Sequence, residues 1–181
     1  MVEVVEHGAY ELLRNKFERV CLDYVILLSD GGYEGIESHK KAVIEAFQIL
    51  NQRFADIDYH IDFNANQMTA QKVNFDEFLK QPSEQYCDGE PKRNRHYSVT
   101  MPTPYWYAFL EPPHGTPYRC SDFISFNSFL FPNKESLEVY RWNDDFSNYF
   151  DEGKEWWGTG LWTVYDRKAN TFVVIGASTT D

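Results

Sequence analysis

Between Trp142 and Asp166 the chain carries five carboxylates, Asp144, Asp145, Asp151, Glu152 and Glu155, against a single cation, Lys154. Phe146, Tyr149, Phe150, Trp156, Trp157, Trp162 and Tyr165 are interleaved with them. Acids left without counter-charges stay hydrated, and Tyr and Trp are the side chains that anchor protein interfaces. The predicted partner-binding surface is therefore Asp144, Asp145, Tyr149, Asp151, Glu152, Glu155, Trp156 and Trp157, and its partner should be basic. Two other sets carry ligand or nucleophile types. In the alternating run 56–63, Asp58, His60 and Asp62 share one face and offer oxygen and nitrogen donors to a divalent cation. A flat row does not converge its donors, so it reads as a solvated strand face, and neither a metal nor a cofactor is expected. His114, near Cys120 and Asp122, is the set closest to a thiol nucleophile with its base. Such a pair must meet within hydrogen-bond reach and needs a third group to orient the base. Pro112, Pro113 and Pro117 in the same loop oppose that meeting, so no catalytic residue is assigned.

Charge narrows the partner classes. The 181 residues carry a net charge of −11, which argues against a nucleic acid backbone, because phosphates are neutralised by Lys and Arg. Lys92, Arg93, Arg95 and His96 form the one basic cluster, too short and too poor in interleaved aromatics to reverse that reading. An odd count of three cysteines without paired spacing predicts reduced thiols, as in the cytosol. The N-terminal segment has acids where a secretory signal has basic residues, and no apolar run approaches the ~20 residues that span a bilayer. The expectation is a soluble cytoplasmic protein, with no membrane and no nucleic acid among its partners.

The elements that must position these residues follow from hydrophobic period. Tyr10, Leu13, Phe17, Val20, Cys21, Tyr24 and Leu28 recur at three- and four-residue steps and predict a helix from about Gly8 to Leu28, stopped by Gly31-Gly32. A second helix is expected from Ser38, as N-cap, to Phe54. Ile57, Tyr59, Ile61 and Phe63 alternate with polar residues and predict a strand over 56–63. Asn74 should cap a short helix to Lys80, followed by a surface loop over 83–94. Further strands are expected at 97–101, 105–110 and 137–142, with a helix over 122–131 capped by Ser121 and another over 144–152. Trp162–Tyr165 and Phe172–Gly176 should close a terminal hairpin, with Asn170 in a left-handed turn position.

The sum is one α+β domain: an antiparallel sheet of about five or six strands with two N-terminal helices packed on one face. Ser29-Asp30-Gly31-Gly32-Tyr33 lacks the lysine and spacing of a phosphate loop. The run NYFDEGKEWWGTGLWTVYD, followed by FVVIGAS, resembles the C-terminal signature of a group of uncharacterised bacterial proteins. In size, acidity and aromatic content the whole chain is similar to immunity proteins of bacterial polymorphic toxin systems. That resemblance implies no enzymatic activity. It implies a small acidic protein that occludes a basic toxin, for which charge complementarity would speed capture. Two other classes stand beside it. A ligand-binding domain would line a pocket with Trp106, Trp142, Trp156, Trp157 and Trp162. A hydrolase-like enzyme would gather His60, His114, Glu111 and Glu155 in one cleft.

Overall fold

The computed structural model describes residues 1–57, 59–80 and 103–178, the side chain of Trp156 apart. Six strands form one sheet: β1 (Val2–Glu3), β2 (Asp23–Leu28), β3 (Ala70–Val73), β4 (Leu137–Trp142), β5 (Thr159–Asp166) and β6 (Thr171–Ser178). Their order is β1-β2-β6-β5-β4-β3, and every pairing is antiparallel. Six helices accompany it among the described residues: α1 (Gly8–Asn15), α2 (Ile36–Arg53), α3 (Phe75–Phe78), α4 (Tyr105–Leu110), α5 (Cys120–Leu130) and α6 (Asp151–Trp156). The architecture is α+β, as the sequence predicts. No helix among the described residues is long and apolar enough to cross a membrane.

Both faces of the sheet are covered. Because successive strand residues point to opposite sides, Val25, Leu27, Leu161, Tyr165, Phe172 and Val174 meet Val43, Ala46, Phe47 and Leu50 of α2. Tyr24, Ile26, Trp162, Val164, Val173 and Ile175 face the other way, onto Ala9 of α1, Phe109 of α4, and Phe123 and Phe126 of α5. The first two helices thus lie on opposite faces, which corrects the expectation that they share one. Burial on both sides also explains why β2 escaped recognition. A continuous apolar run such as Tyr24–Leu27, wholly buried, has no alternation to read and extends a helical period by accident. The predicted helix over 8–28 is therefore α1, a connecting loop and the inner strand β2.

Four other expectations fail for local reasons. Among the described residues of 56–63 no strand forms, and Ala55–Ile57 is a turn of 3₁₀ helix. Two asparagines take the backbone groups that a ladder would need. Asn51 accepts from the Ile61 N–H at 2.6 Å and donates to its C=O at 3.0 Å. Asn148 accepts from the Asp62 N–H at 2.8 Å and donates to the His60 C=O at 2.9 Å. The segment keeps one isolated bridge, Phe63 to Ser147. Residues 105–110 form α4 instead of a strand, starting after Pro104, where a ring that lacks an N–H costs the helix nothing. The helix expected over 144–152 begins later: Ser147 caps a 3₁₀ turn, Asn148–Phe150, that leads into α6. Gly35, at φ 64°, is the N-cap of α2, and Ser38 instead accepts a hydrogen bond from the Glu34 N–H. Asn74 caps α3, β4 spans Leu137–Trp142, and Asn170 turns the β5–β6 hairpin at φ 54°, all as predicted. The expected loop over 83–94, the strand over 97–101 and the basic cluster at 92–96 lie outside the described residues.

Candidate functional site

The acidic rim divides once it is placed in the fold. Asp145, Asp151, Glu152 and Glu155 are exposed, on α6 and the turn before it. Lys154 lies 3.2 Å from Asp145 and 3.9 Å from Asp144. Asp144 is half-buried and accepts a hydrogen bond from Thr159 Oγ1. Tyr149 leaves the proposed surface altogether. It is buried against Phe47 and Phe150, and its hydroxyl donates to Asp23 Oδ2 at 2.7 Å. Trp157 is half-buried, stacks on Tyr107 with ring centroids 6.0 Å apart, and donates from Nε1 to the Glu111 carbonyl at 2.7 Å. It ties the end of α6 to the end of α4.

The aromatic pocket is not assembled. Trp142 and Trp162 are both buried, in the two clusters on opposite faces of the sheet. They pack into separate cores. Trp162 lies so close over β5 that a Cβ on Gly160 would come within 2.1 Å of its ring.

The thiol and histidine arrangement differs from the expected one. Cys120 is disulfide-bonded, which corrects the prediction of reduced thiols and removes it as a nucleophile. Asp122 is spent on α5, accepting from the Arg119 N–H at 3.0 Å. His114 instead meets Cys21, whose Sγ is 3.4 Å from Nε2 and 3.8 Å from Nδ1. A sulfur nearly equidistant from both ring nitrogens is aligned with the lone pair of neither. His114 Nε2 also lies 3.3 Å from the Arg19 carbonyl, and burial, with Asp23 adding to it, pushes the Cys21 thiol up from its ordinary value. An activated thiol needs the opposite shift. His60 sits elsewhere, 3.8 Å from Asp62 with both side chains exposed. Asp58, the remaining member of the predicted row, lies outside the described residues. Among the described residues no group of three His, Cys, Asp or Glu could hold a metal ion.

What the sequence did not announce is a buried polar chain beneath α2. His39 is fully buried. Its Nδ1 is 2.8 Å from Thr163 Oγ1, which accepts from Trp142 Nε1 at 2.9 Å. Its Nε2 is 3.1 Å from the Tyr33 hydroxyl, which donates to Glu138 Oε1. A carboxylate can only accept, so Tyr33 gives its proton to Glu138 and accepts from His39 Nε2, while burial lowers the ring's pKa to about 4 and leaves Nδ1 an acceptor near neutral pH. Thr163 donates to His39 Nδ1, and His39 donates from Nε2 to Tyr33. The ring is thus the neutral Nε2–H tautomer near neutral pH. Burial alone would push the Glu138 carboxyl up, but hydrogen bonds from Tyr33, Lys72 and Arg167 hold it at about 2. Among the described residues no buried side-chain nitrogen or oxygen is left without a partner. The chain holds α2 and the Tyr33 loop on the sheet.

No known protein family, curated protein or solved structure matches this chain. The function has to be read from the surfaces themselves.

Proposed function

We propose that this is a binding protein whose exposed acidic face engages a basic protein partner, and that it acts by occlusion, not catalysis. One instance of that class is an immunity protein that covers a basic toxin in the cytoplasm. The observation that carries the reading is the way the 142–166 segment divides. Tyr149, Phe150 and Trp162 are consumed by the core, while Asp145, Asp151, Glu152 and Glu155 stay at the surface around one lysine. Exposed charges of one sign speed the encounter with a partner of the other sign and reject partners of the same sign. The disulfide at Cys120 would have to withstand reduction in a cytoplasmic setting.

The test replaces Asp145, Asp151 and Glu155 by Lys together. Partner capture from the native host, run beside the wild type, should fall about tenfold or more, and capture by the wild type should weaken as salt rises. Thermal unfolding should stay within about 0.5 kcal/mol of wild type, as expected for exposed positions. Capture of the same basic partner in equal yield by both proteins would remove this face from the interface.

A further inference from the structure

Three strands end together at one corner of the sheet: β3 begins, β4 ends and β5 begins there. Between them Thr69, Gln71, Arg141, Asp144, Thr159 and Gly160 border an open cleft of about 420 Å³. Much of its polar lining is already committed. Asn143 accepts from the Thr69 N–H at 2.8 Å and donates to the Gln67 carbonyl at 3.1 Å. Thr159 donates to Asp144, which also faces Lys154.

Arg141 is the exception. It is half-buried, and among the described residues its guanidinium makes no hydrogen bond and no ion pair. It lies over the Trp162 ring, with the guanidinium carbon 5.4 Å from the centroid. Burial pulls the Arg141 pKa down to about 10, with Asp144 offsetting part of the effect. It is still protonated at neutral pH. Removing part of a cation's hydration without supplying a counter-ion is costly. It is the more notable in a chain with 28 acidic residues against 17 basic ones. Gln71 is the cross-strand partner of Arg141. Directly opposed residues in an antiparallel pair project from the same face with Cβ atoms about 4.5 to 5.5 Å apart. The exposed Gln71 carboxamide also has no hydrogen-bond partner among the described residues.

We propose that this cleft binds a carboxylate group, gripped by the Arg141 guanidinium and the Gln71 amide N–H, with the Trp162 ring beneath the guanidinium. The planar fork of an arginine matches the two oxygens of a carboxylate. A phosphate would match it too, but a second negative charge would meet Asp144 and the field of a chain at −11. A monoanion is therefore preferred. The carboxylate is that of a free organic acid or of a peptide chain end. The site does not depend on what the acidic face binds.

The experiment follows the Arg141 Nε–H resonance of the full chain by NMR while probes are added. The probes are sodium benzoate, neutral benzamide, inorganic phosphate, and a tripeptide with its C-terminus either free or amidated. Benzoate or the free-ended tripeptide should move the resonance saturably, whereas benzamide, phosphate and the amidated tripeptide should not. A response to benzoate assigns the site to free acids, and a response to the free-ended tripeptide alone assigns it to chain ends. Arg141→Gln should abolish binding, read by thermal shift. Gln71→Ala, at an exposed position that leaves the fold intact, should weaken it about threefold to tenfold. Silence with every probe, an equal response to phosphate or benzamide, or unchanged affinity in both variants would overturn the proposal.

Discussion

His39 shows how one side chain can be fixed by its neighbours' limited chemistry. Glu138 can only accept, so Tyr33 must accept from His39 Nε2, and burial keeps the second proton off Nδ1 near neutral pH. That makes its cost in acid calculable. With a folded pKa of about 4 against an ordinary 6.5, the unfolded chain takes up the proton first as pH falls. The stabilisation is complete above pH 6.5, is lost progressively down to pH 4, and amounts to roughly 3 kcal/mol. Glu138, held at about 2 against an ordinary 4.5, adds a loss over the lower window, from 4.5 toward 2. Urea unfolding at about pH 7 and about pH 4 should therefore show a decline that is roughly 3 kcal/mol smaller in His39→Gln than in wild type. Equal declines in the two proteins would mean that His39 is protonated in the folded state, and the assigned bond directions would then be wrong.

At the scale of elements, asparagines decide where the sheet stops. The alternation of Ile57, Tyr59, Ile61 and Phe63 promises a strand, yet Asn51 and Asn148 satisfy the backbone of Ile61, His60 and Asp62 before any ladder can. Asn51→Ala should leave the Ile61 N–H and C=O without their protein partners and cost about 1 to 3 kcal/mol. Hydrogen exchange at the Ile61 amide should quicken by more than global unfolding accounts for. If it does not, Asn51 is not what holds this segment off the sheet. The same contrast separates what was legible from what was not. The β5–β6 hairpin, β4 and the Asn74 cap are written in neighbouring residues, through apolar runs, a turn asparagine and a capping side chain. The exposed acids were legible as well, because carboxylates stay hydrated in almost any fold. Tyr149 was not, since its hydroxyl finds Asp23 across 126 positions of sequence. Nor was the meeting of Cys21 with His114, 93 positions apart, or the alignment of Gln71 with Arg141, which is a matter of strand register. Local patterns fixed the elements, and register fixed the sites.

On the scale of the whole molecule, the sheet is covered on both faces, and the variable that acts at long range is charge. A net −11 repels itself in the compact state. The exposed ion pairs that oppose this, such as Lys41 with Glu34, are worth about 0 to 1 kcal/mol each. Repulsion summed over the surface should outweigh them. Raising sodium chloride from about 0.01 M to about 0.1 M shortens the screening length from about 30 Å to about 10 Å. The melting temperature should therefore rise, by about 2 to 4 °C for each kcal/mol of repulsion relieved in a chain of this size. Chloride is the salt to use, because sulfate would strengthen apolar burial by exclusion and mask the electrostatic part. The same increase should slow association with a basic partner, so a single variable moves stability and binding in opposite directions. In the Asp145, Asp151 and Glu155 to Lys variant both dependences should flatten, since the charges that repel one another are also the charges that attract the partner. A melting temperature that falls with added chloride would show that the ion pairs, led by Glu138 with Lys72 and Arg167, outweigh the repulsion. The acidic face would then be part of a balanced charge network instead of a surface held in reserve for a cation.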